Sequence, residues 1–215
     1  MRTSALLKIG SKRILLDPCV DFRQQALRFS VDHVDAVLVT HPHADHIFGL
    51  DELRIYSQRT NAPISVYGSR ATIEEIKVTF RYVFRPPQMG GGVPQLDLHI
   101  VQGSFLVCGL PFQTIPIKHG VLDIEGYRIG DVAYLTDCSE IPQTSWPLLE
   151  GVQTLVLGAL RFRPHPTHFS LDQALAVVAR LKPKNTFFVH ICHDMDHDSV
   201  CEQLPPGVSL AYDGL

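Results

Sequence analysis

The stretch that decides the fold is His41-Pro42-His43-Ala44-Asp45-His46, which places three imidazoles and one carboxylate within six residues. Imidazole nitrogen and carboxylate oxygen are both zinc ligands, and a tight loop can point alternate residues to one side. A solvated polar loop is the ordinary alternative, and the density of ligands argues against it. The stretch therefore predicts a metal site in which His41 and His43 share one ion while Asp45 and His46 serve a neighbouring ion.

An apolar strand precedes this stretch. Residues 34–40 form a β-branched run of strand length, so the histidines lie at the C-terminal end of a strand, where open α/β sheets place their ligands. Three more candidate ligands, His119, Asp137 and His190, each follow a short apolar run. Taken singly, each has an ordinary explanation as a turn, cap or core residue. Their value as ligands comes from their joint placement with residues 41–46.

The order of the remaining elements indicates the fold class. The patterns predict a hairpin over 4–9 and 13–17, helices over 22–29, 50–58, 71–82 and 171–181, strands over 64–67, 154–158 and 186–190, and antiparallel strands near 99–101, 105–107, 112–117, 126–129 and 132–135. The Gly/Pro stretch 85–94 is expected to be a mobile connection. Two mixed β-sheets with outer helices, an α/β (α+β) architecture, fit this order better than a doubly wound parallel sheet.

Composition excludes several functional classes. The 215 residues, 45% of them hydrophobic, predict one globular domain over residues 1–215. A net charge of −3 argues against a surface that binds long nucleic acid. No apolar run is long enough to cross a membrane, and the first residues lack signal-peptide order, so a cytoplasmic location is expected. The five cysteines are scattered without a CxxC pair, which indicates neither a disulfide framework nor a cysteine zinc site.

The motifs taken together resemble a known superfamily. HPHADHIFGLDELR (41–54), with IPIKHG (115–120), LTDCS (135–139) and FVHICH (188–193), resembles the metallo-β-lactamase fold superfamily of metallohydrolases. RTSALL (2–7) and DFRQQALR (21–28) are similar to the subgroup that contains the cyclic phosphodiesterase of phosphonate breakdown. The resemblance covers essentially the whole chain. It implies an αββα sandwich with a metal site at the edge of the sheets.

The resemblance also implies a ligand set for two divalent ions, Zn²⁺ or Mn²⁺. The implied ligands are His41, His43 and His119 for the first ion, Asp45, His46 and His190 for the second, and Asp137 as a bridge between the two. A hydroxide bridging the ions would be the nucleophile. With the charges of two carboxylates and the hydroxide counted, the site keeps a local surplus of about +1, which would attract a phosphate.

Two residues are expected to act in catalysis, Asp45 and His168. His168 matches the superfamily histidine that lies over the substrate just before a capped helix, and its implied role is general acid or phosphate contact. A histidine that only bonds the helix N-terminus is the structural alternative. A metal-bound phosphate needs a nearby proton donor, and imidazole has a suitable pKa. This requirement favours the functional role.

The predicted function is hydrolysis of a small cyclic or nucleotide-like phosphodiester. The expected partner is this small-molecule substrate, with no membrane and no long nucleic acid, and a homodimer stays open. Hydrolysis of a thioester, lactone or β-lactam is the alternative within the same chemistry. A degenerate binding or assembly protein is the alternative of another class, disfavoured because all seven ligand positions hold competent residues. RNA 3′-end processing, found in another branch, would need a long basic arm that is not visible.

The sequence also departs from the subgroup. Its members usually begin some tens of residues earlier, with a strand, a Gly-rich turn and a CxCxxC segment that helps to bind a structural zinc. This chain is therefore expected to lack that N-terminal strand region. The sheet edge left behind would reflect a truncated product, a different start or a partner chain in a homodimer. His193 matches the position that completes the zinc site, and it has no cysteine partners here.

Overall fold

The computed structural model describes residues 2–86 and 92–215. They form two compact units, the first reaching to residue 102 and including 107–109, the second comprising 103–106 and 110–215. The expected mobile connection, 85–94, falls partly outside the described residues, at 87–91. No helix in the described parts of the chain is long and apolar enough to cross a bilayer.

The first unit contains one mixed sheet and its helices. In chain order its elements are β1 (Ala5–Ile9), β2 (Lys12–Leu16), α1 (Phe22–Arg28), β3 (Ala36–Leu38), α2 (Ala44–Ile47), a 3-10 helix (Leu50–Leu53), α3 (Arg54–Thr60), β4 (Ile64–Gly68), α4 (Arg70–Thr79) and β5 (Leu96–Ile100). The strands lie in the order β1-β2-β3-β4-β5. Only β1 and β2 pair in antiparallel fashion, as the predicted hairpin; the other pairs are parallel.

A buried apolar cluster holds the helices of this unit against its sheet. Val37 and Val39 alternate along β3 and just beyond it, and they pack with Val66 of β4 and with Ile73 and Ile76 of α4. Burying such side chains contributes about 1.5–3 kcal/mol each. The strand that leads into residues 41–46 is therefore paired with β2 and β4 on its two sides and packed against α4 on one face. This packing gives the histidine stretch a fixed starting point.

The second unit contains a seven-stranded mixed sheet. Its elements are β6 (Ser104–Val107), β7 (Leu110–His119), β8 (Leu122–Ile129), β9 (Val132–Leu135), a 3-10 helix (Trp146–Leu149), β10 (Thr154–Gly158), α5 (Leu171–Leu181), β11 (Asn185–Val189), α6 (His197–Cys201) and β12 (Val208–Leu210). The strand order is β12-β11-β10-β9-β8-β7-β6. Strands β9 to β12 run parallel, whereas β7, β8 and β9 form antiparallel pairs.

The parallel part of this sheet positions the later functional residues. β10 pairs with β9 on one side and with β11 on the other, so the C-terminal ends of all three strands lie at one edge. The chain segments that follow β9 and β11 therefore leave the same edge of the sheet, one on each side of β10. Leu155, Leu157 and Phe188 are buried in the core of this unit together with Ala174 and Val177 of α5.

The predicted two mixed sheets with outer helices are confirmed, and one predicted pairing is wrong. The strand near 99–101 was expected to be antiparallel, but β5 pairs with β4 in parallel register. Its alternation of half-buried and exposed residues is typical of antiparallel strands. In this sheet the alternation arises because Leu96 and Leu98 pack against the core of the unit, whereas Asp97 between them is exposed.

Candidate metal centre

The first unit carries a donor set of four residues, His41, His43, Asp45 and His46, which we call the first donor set. β3 ends at Leu38, and α2 begins three residues after His41. His41 Nε2 and His43 Nδ1 are 3.0 Å apart, and His46 Nε2 lies 3.6 Å from Asp45 Oδ2. The rings of His41 and His46 are fully buried with centroids 4.1 Å apart. The loop thus brings all four donors into one small volume.

Asp17 orients this donor set, and sequence reasoning missed it. Its carboxylate is completely buried and accepts hydrogen bonds from the Thr40 backbone N–H at 2.8 Å and the Thr40 hydroxyl at 2.9 Å. The same carboxylate lies 3.0 Å from His46 Nδ1. A carboxylate behind a ligating histidine fixes its tautomer and raises its basicity. The available signal was an aspartate directly after an apolar strand, as at Asp137.

The Thr40 hydroxyl contacts the His41 ring in the same way that Asp17 contacts the His46 ring. Thr40 Oγ1 is 3.0 Å from His41 Nδ1, so Thr40 links the Asp17 carboxylate to the His41 ring. With Nδ1 of both His41 and His46 held by protein groups, Nε2 is the nitrogen left to bind a metal. This arrangement fits the binding of a divalent ion, because the nitrogen that binds the ion must carry no proton and must point toward the ion.

The second unit carries the second donor set, His119, Asp137, His168 and His190. His119 ends β7, Asp137 is the second residue after β9, and His190 directly follows β11. Asp137 and His190 have φ of 53° and 57°, a left-handed conformation that costs about 1 kcal/mol or more outside glycine. Strain of this kind concentrates at functional sites, where the surrounding fold maintains it.

Close packing brings the second donor set together. His190 Nε2 lies 3.4 Å and His168 Nδ1 lies 3.9 Å from the same oxygen, Asp137 Oδ2. A Cβ atom on Gly158 would approach the Asp137 backbone nitrogen to 3.0 Å, so glycine there lets β10 pass close to the aspartate. The metal-binding atoms of His119, Asp137 and His168 all lie within 4.8 Å of one another. Sequence reasoning placed His168 over the substrate, and the structure places it among the donors as well.

A backbone contact fixes the tautomer of the neutral His119 ring. His119 Nδ1 is 2.7 Å from the Thr167 carbonyl oxygen, which can only accept a hydrogen bond. His119 therefore donates from Nδ1, and in the neutral ring Nε2 carries no proton. As in the first donor set, a protein group fixes one nitrogen and leaves the other suited to a metal.

The His168 side chain is largely buried, with 12% of its surface exposed. Burial lowers the pKa of His168 to about 4, although the nearby Asp137 carboxylate acts in the opposite direction. Its ring is stacked on His190 at 4.9 Å and meets His119 edge-on at 4.7 Å. A neutral imidazole at neutral pH can donate one N–H to an anion.

His193 differs from the residues of both donor sets. Its side chain is 96% exposed, and its Nε2 lies 3.4 Å from Asp194 Oδ1. All five cysteines are free thiols, and Cys108 is exposed. His193 is thus a surface residue beside an aspartate.

Comparisons with known proteins agree with this arrangement of donors. The family model of the β-lactamase superfamily domain matches residues 12–191. The chain is 41% identical to a new diphosphatase from the PhnP family, a crystal structure that superposes with a TM-score of 0.93 over 100% of this chain and 82% of that one. The metallo-β-lactamase fold protein YhfI from Bacillus subtilis, at 18% identity, superposes with a TM-score of 0.81 over 100% of this chain and 90% of that one, which shows the fold alone.

A curated relative is longer than this chain. The chain is 37% identical over 219 residues to an octanoyltransferase of Porphyromonas gingivalis, and the match covers 100% of this chain and 44% of that protein. The chain thus spans less than half the length of this relative. The matches confirm the predicted superfamily resemblance and the predicted fold class. The chain belongs to the β-lactamase superfamily, has the metallo-β-lactamase fold and is close to the PhnP family.

Proposed function

We propose that this member of the β-lactamase superfamily hydrolyses a phosphate ester or diphosphate bond in a small molecule, with two divalent ions held by the two donor sets. Membership of a metallohydrolase superfamily and the clustered imidazoles and carboxylates support metal-dependent hydrolysis. The observation that carries the phosphate chemistry is the 41% identity to a diphosphatase along the whole chain.

The proposed ligands follow the resemblance seen in the sequence. They are His41, His43 and His119 for one ion, Asp45, His46 and His190 for the other, and Asp137 between them. Imidazole and carboxylate donors suit Zn²⁺ and also Mn²⁺. Bound ions of this kind lower the pKa of water to about 7 and offset the charge of a phosphate. The anchored Nδ1 atoms of His41, His46 and His119 support this assignment.

The chain's own side chains would then position the substrate. His168 would donate its N–H to a phosphate oxygen, because its neutral ring lies beside Asp137 and His190. Asp45, whose side chain is 39% exposed, would accept a hydrogen bond from the attacking water and help to orient it. We assign catalytic roles to both residues on this basis.

A phosphodiester and a diphosphate differ in how basic their leaving groups are. An alkoxide that leaves a phosphodiester is a strong base and needs a proton in the transition state. A phosphate that leaves a diphosphate is a much weaker base and needs less assistance. A neutral His168 therefore fits a diphosphate bond better than an unactivated phosphodiester.

Acyl thioester hydrolysis is the second candidate. It is favoured by the similarity to part of an octanoyltransferase, whose name points to acyl chemistry. Because the match covers 44% of that protein, the transferase activity can reside in the remainder.

A substrate panel with metal analysis tests both candidates. Purified protein is analysed for metals and assayed on a dinucleoside diphosphate, a cyclic nucleotide, bis(p-nitrophenyl) phosphate, an octanoyl thioester and a lactone. We expect about two divalent ions per chain and the highest kcat/KM on a phosphate substrate. Highest activity on the thioester would favour the second candidate. Metal-free protein, purified without chelator and inactive on the whole panel, would contradict the proposal.

A further inference from the structure

A short loop in the second unit has its two ends joined by backbone hydrogen bonds. It bears arginine side chains next to the second donor set. Residues 161–170, which we call the closed loop, begin and end at a bridge between Arg161 and Ser170. Leu160 N–H donates to the Phe169 carbonyl at 3.0 Å, and Leu171 N–H donates to the Arg161 carbonyl at 2.9 Å. The two ends of the closed loop are therefore fixed to each other by backbone hydrogen bonds.

Arg161 also fixes the interior of the closed loop. Its Nε donates to the Arg163 carbonyl at 3.2 Å, and its Nη2 donates to the Pro164 carbonyl at 3.0 Å. Both partners are neutral, so these bonds position the guanidinium without neutralising it. Among the residues that the structure describes, no carboxylate lies within ion-pair distance of Arg161, whereas Arg163 lies 3.4 Å from Asp194. Arg161 thus presents an uncompensated positive charge.

His165 has a defined donor in the same loop. Thr167 N–H donates to His165 Nδ1 at 3.3 Å, so in the neutral ring the proton lies on Nε2. A Cβ atom on Gly120 would come within 2.8 Å of the Thr167 side chain, so the closed loop sits tightly against the turn after β7. His165 Nε2–H is thereby held as a hydrogen-bond donor.

The closed loop contains one member of the second donor set, His168, and contacts the others through it. The ring centroids of His165 and His168 are 5.2 Å apart, and those of His168 and His190 are 4.9 Å apart. The Arg161 guanidinium donates to the carbonyl of Pro164, the residue before His165, so both side chains belong to the same part of the closed loop. The closed loop therefore presents a guanidinium and an imidazole N–H donor next to the row of rings that reaches His190.

We propose that Arg161 and His165 bind a second, non-reacting phosphate of the substrate. This inference rests on the proposed function and narrows its substrate class to compounds with two adjacent phosphates. The surplus charge of about +1 at the two ions offsets one phosphate and leaves the next one unmatched. A guanidinium held by neutral carbonyls, with an N–H donor beside it, is a suitable partner for that second phosphate.

Binding of simple anions tests the inference without relying on turnover. Metal-loaded protein is titrated calorimetrically with inorganic pyrophosphate and with inorganic phosphate. We expect wild type to bind pyrophosphate at least about tenfold more tightly than phosphate, as one charged hydrogen bond allows. In Arg161→Met and His165→Ala the two affinities should converge, mainly through weaker pyrophosphate binding. Wild type that binds pyrophosphate no more tightly than phosphate, or binds neither, would overturn the inference.

A matched control separates a specific contact from general electrostatics. Arg163→Met removes the same charge from the same loop, at a side chain that is 78% exposed and paired with Asp194. Its preference for pyrophosphate should stay within about twofold of wild type. An equal loss in Arg163→Met and Arg161→Met would reject a subsite, as would equal weakening of phosphate and pyrophosphate in Arg161→Met, since a displaced loop would affect both anions. Melting curves of each variant confirm folding.

Hydrolysis distinguishes failure of the inference from failure of the proposed function. If wild type hydrolyses no phosphate compound yet prefers pyrophosphate through Arg161, the subsite stands and the proposed reaction fails. If wild type hydrolyses phosphate substrates and Arg161→Met lowers kcat/KM on a dinucleoside diphosphate and on bis(p-nitrophenyl) phosphate by the same factor, the reaction stands and the subsite fails.

Discussion

The first donor set is contiguous in sequence, whereas the second donor set is assembled from four places along the chain. His41, His43, Asp45 and His46 occupy one loop after β3, and the second set extends over residues 119–190. Both sets contain imidazoles and one carboxylate. The orientation of the first set comes from the side chains of Asp17 and Thr40. That of the second set comes from strand ends and the Thr167 carbonyl.

This difference indicates which mutations would disrupt each donor set. A contiguous set depends on the few groups that orient one loop, because the loop alone can adopt many arrangements. A dispersed set depends on sheet register, because the parallel strands β9, β10 and β11 bring Asp137 and His190 to one edge. The size of a mutation's effect on activity, metal affinity and stability should therefore show whether a residue binds the metal, orients a ligand or supports the fold.

The largest effect is expected from removing the carboxylate shared within the second donor set. Asp137→Asn keeps the size of the side chain and tolerates the left-handed backbone, but it loses the negative charge. We expect kcat/KM to fall by more than the tenfold to hundredfold typical of groups behind metal ligands, together with metal content. Circular dichroism should remain that of folded protein. Full activity at wild-type metal content would mean that Asp137 is no bridge.

A smaller effect is expected from the group that orients the first donor set. Asp17→Asn weakens the acceptor for Thr40 and His46, so metal affinity should fall about tenfold to a hundredfold. The free energy of unfolding should fall by about 1–3 kcal/mol, since buried donors lose a charged acceptor. Calorimetric metal titration and urea denaturation measure the two effects.

A second aspartate in the same unit serves as the control. Asp35 also accepts a backbone hydrogen bond, from Arg13 at 2.8 Å, but it contacts no member of the first donor set. Asp35→Asn should lower stability and leave metal affinity unchanged. Equal metal affinities for Asp17→Asn and Asp35→Asn would show that the first set needs no orienting carboxylate.

An intermediate effect on rate alone is expected at His168. His168→Ala removes one hydrogen bond to phosphate and should lower kcat/KM about tenfold to a hundredfold, with metal content unchanged. Because the ring is neutral, the loss should be similar for an alkoxide and for a p-nitrophenolate leaving group. A loss confined to the alkoxide would restore the general-acid role, and a loss of metal would make His168 a ligand.

The smallest effect is expected at the helix that follows His168. Ser170 and Gln173 form a reciprocal capping box at the start of α5, so Ser170→Ala should cost about 1 kcal/mol of stability. Because backbone bonds also close the loop, activity should stay within about twofold. Ser69→Ala at the start of α4, where the cap is one-sided, is the matched change in the first unit and should cost less. Equal losses in urea denaturation would show that the reciprocal bond contributes little.

Features encoded locally could be predicted from the sequence. The capping box marked the start of α5, and its predicted span of 171–181 matches the structure, as does the strand 154–158. The first donor set was visible because its four residues lie within one six-residue loop. Such patterns depend on neighbouring residues alone, which a sequence displays directly.

Features that depend on distant neighbours were harder to predict. The direction of β5 is determined by its pairing with β4, which no local pattern reports. Asp17 orients His46 across 29 residues of sequence, and a single aspartate after a strand has many ordinary roles. The inclusion of His168 among the donors depends on packing against His119 and His190. The ligand assignment across both sets stays a proposal.

The dispersal of the second donor set has a consequence for tolerance to insertions and deletions. His119 ends one strand, and Asp137 and His190 follow two others, so residues added in an exposed segment between them, such as 182–184, leave each strand end where it was. A single residue added within 41–46 would instead change which side chains of that loop point together. A library of one-residue insertions should therefore show a continuous intolerant block at the first set and short, separated intolerant points at the second. Length variation among related chains should follow the same division.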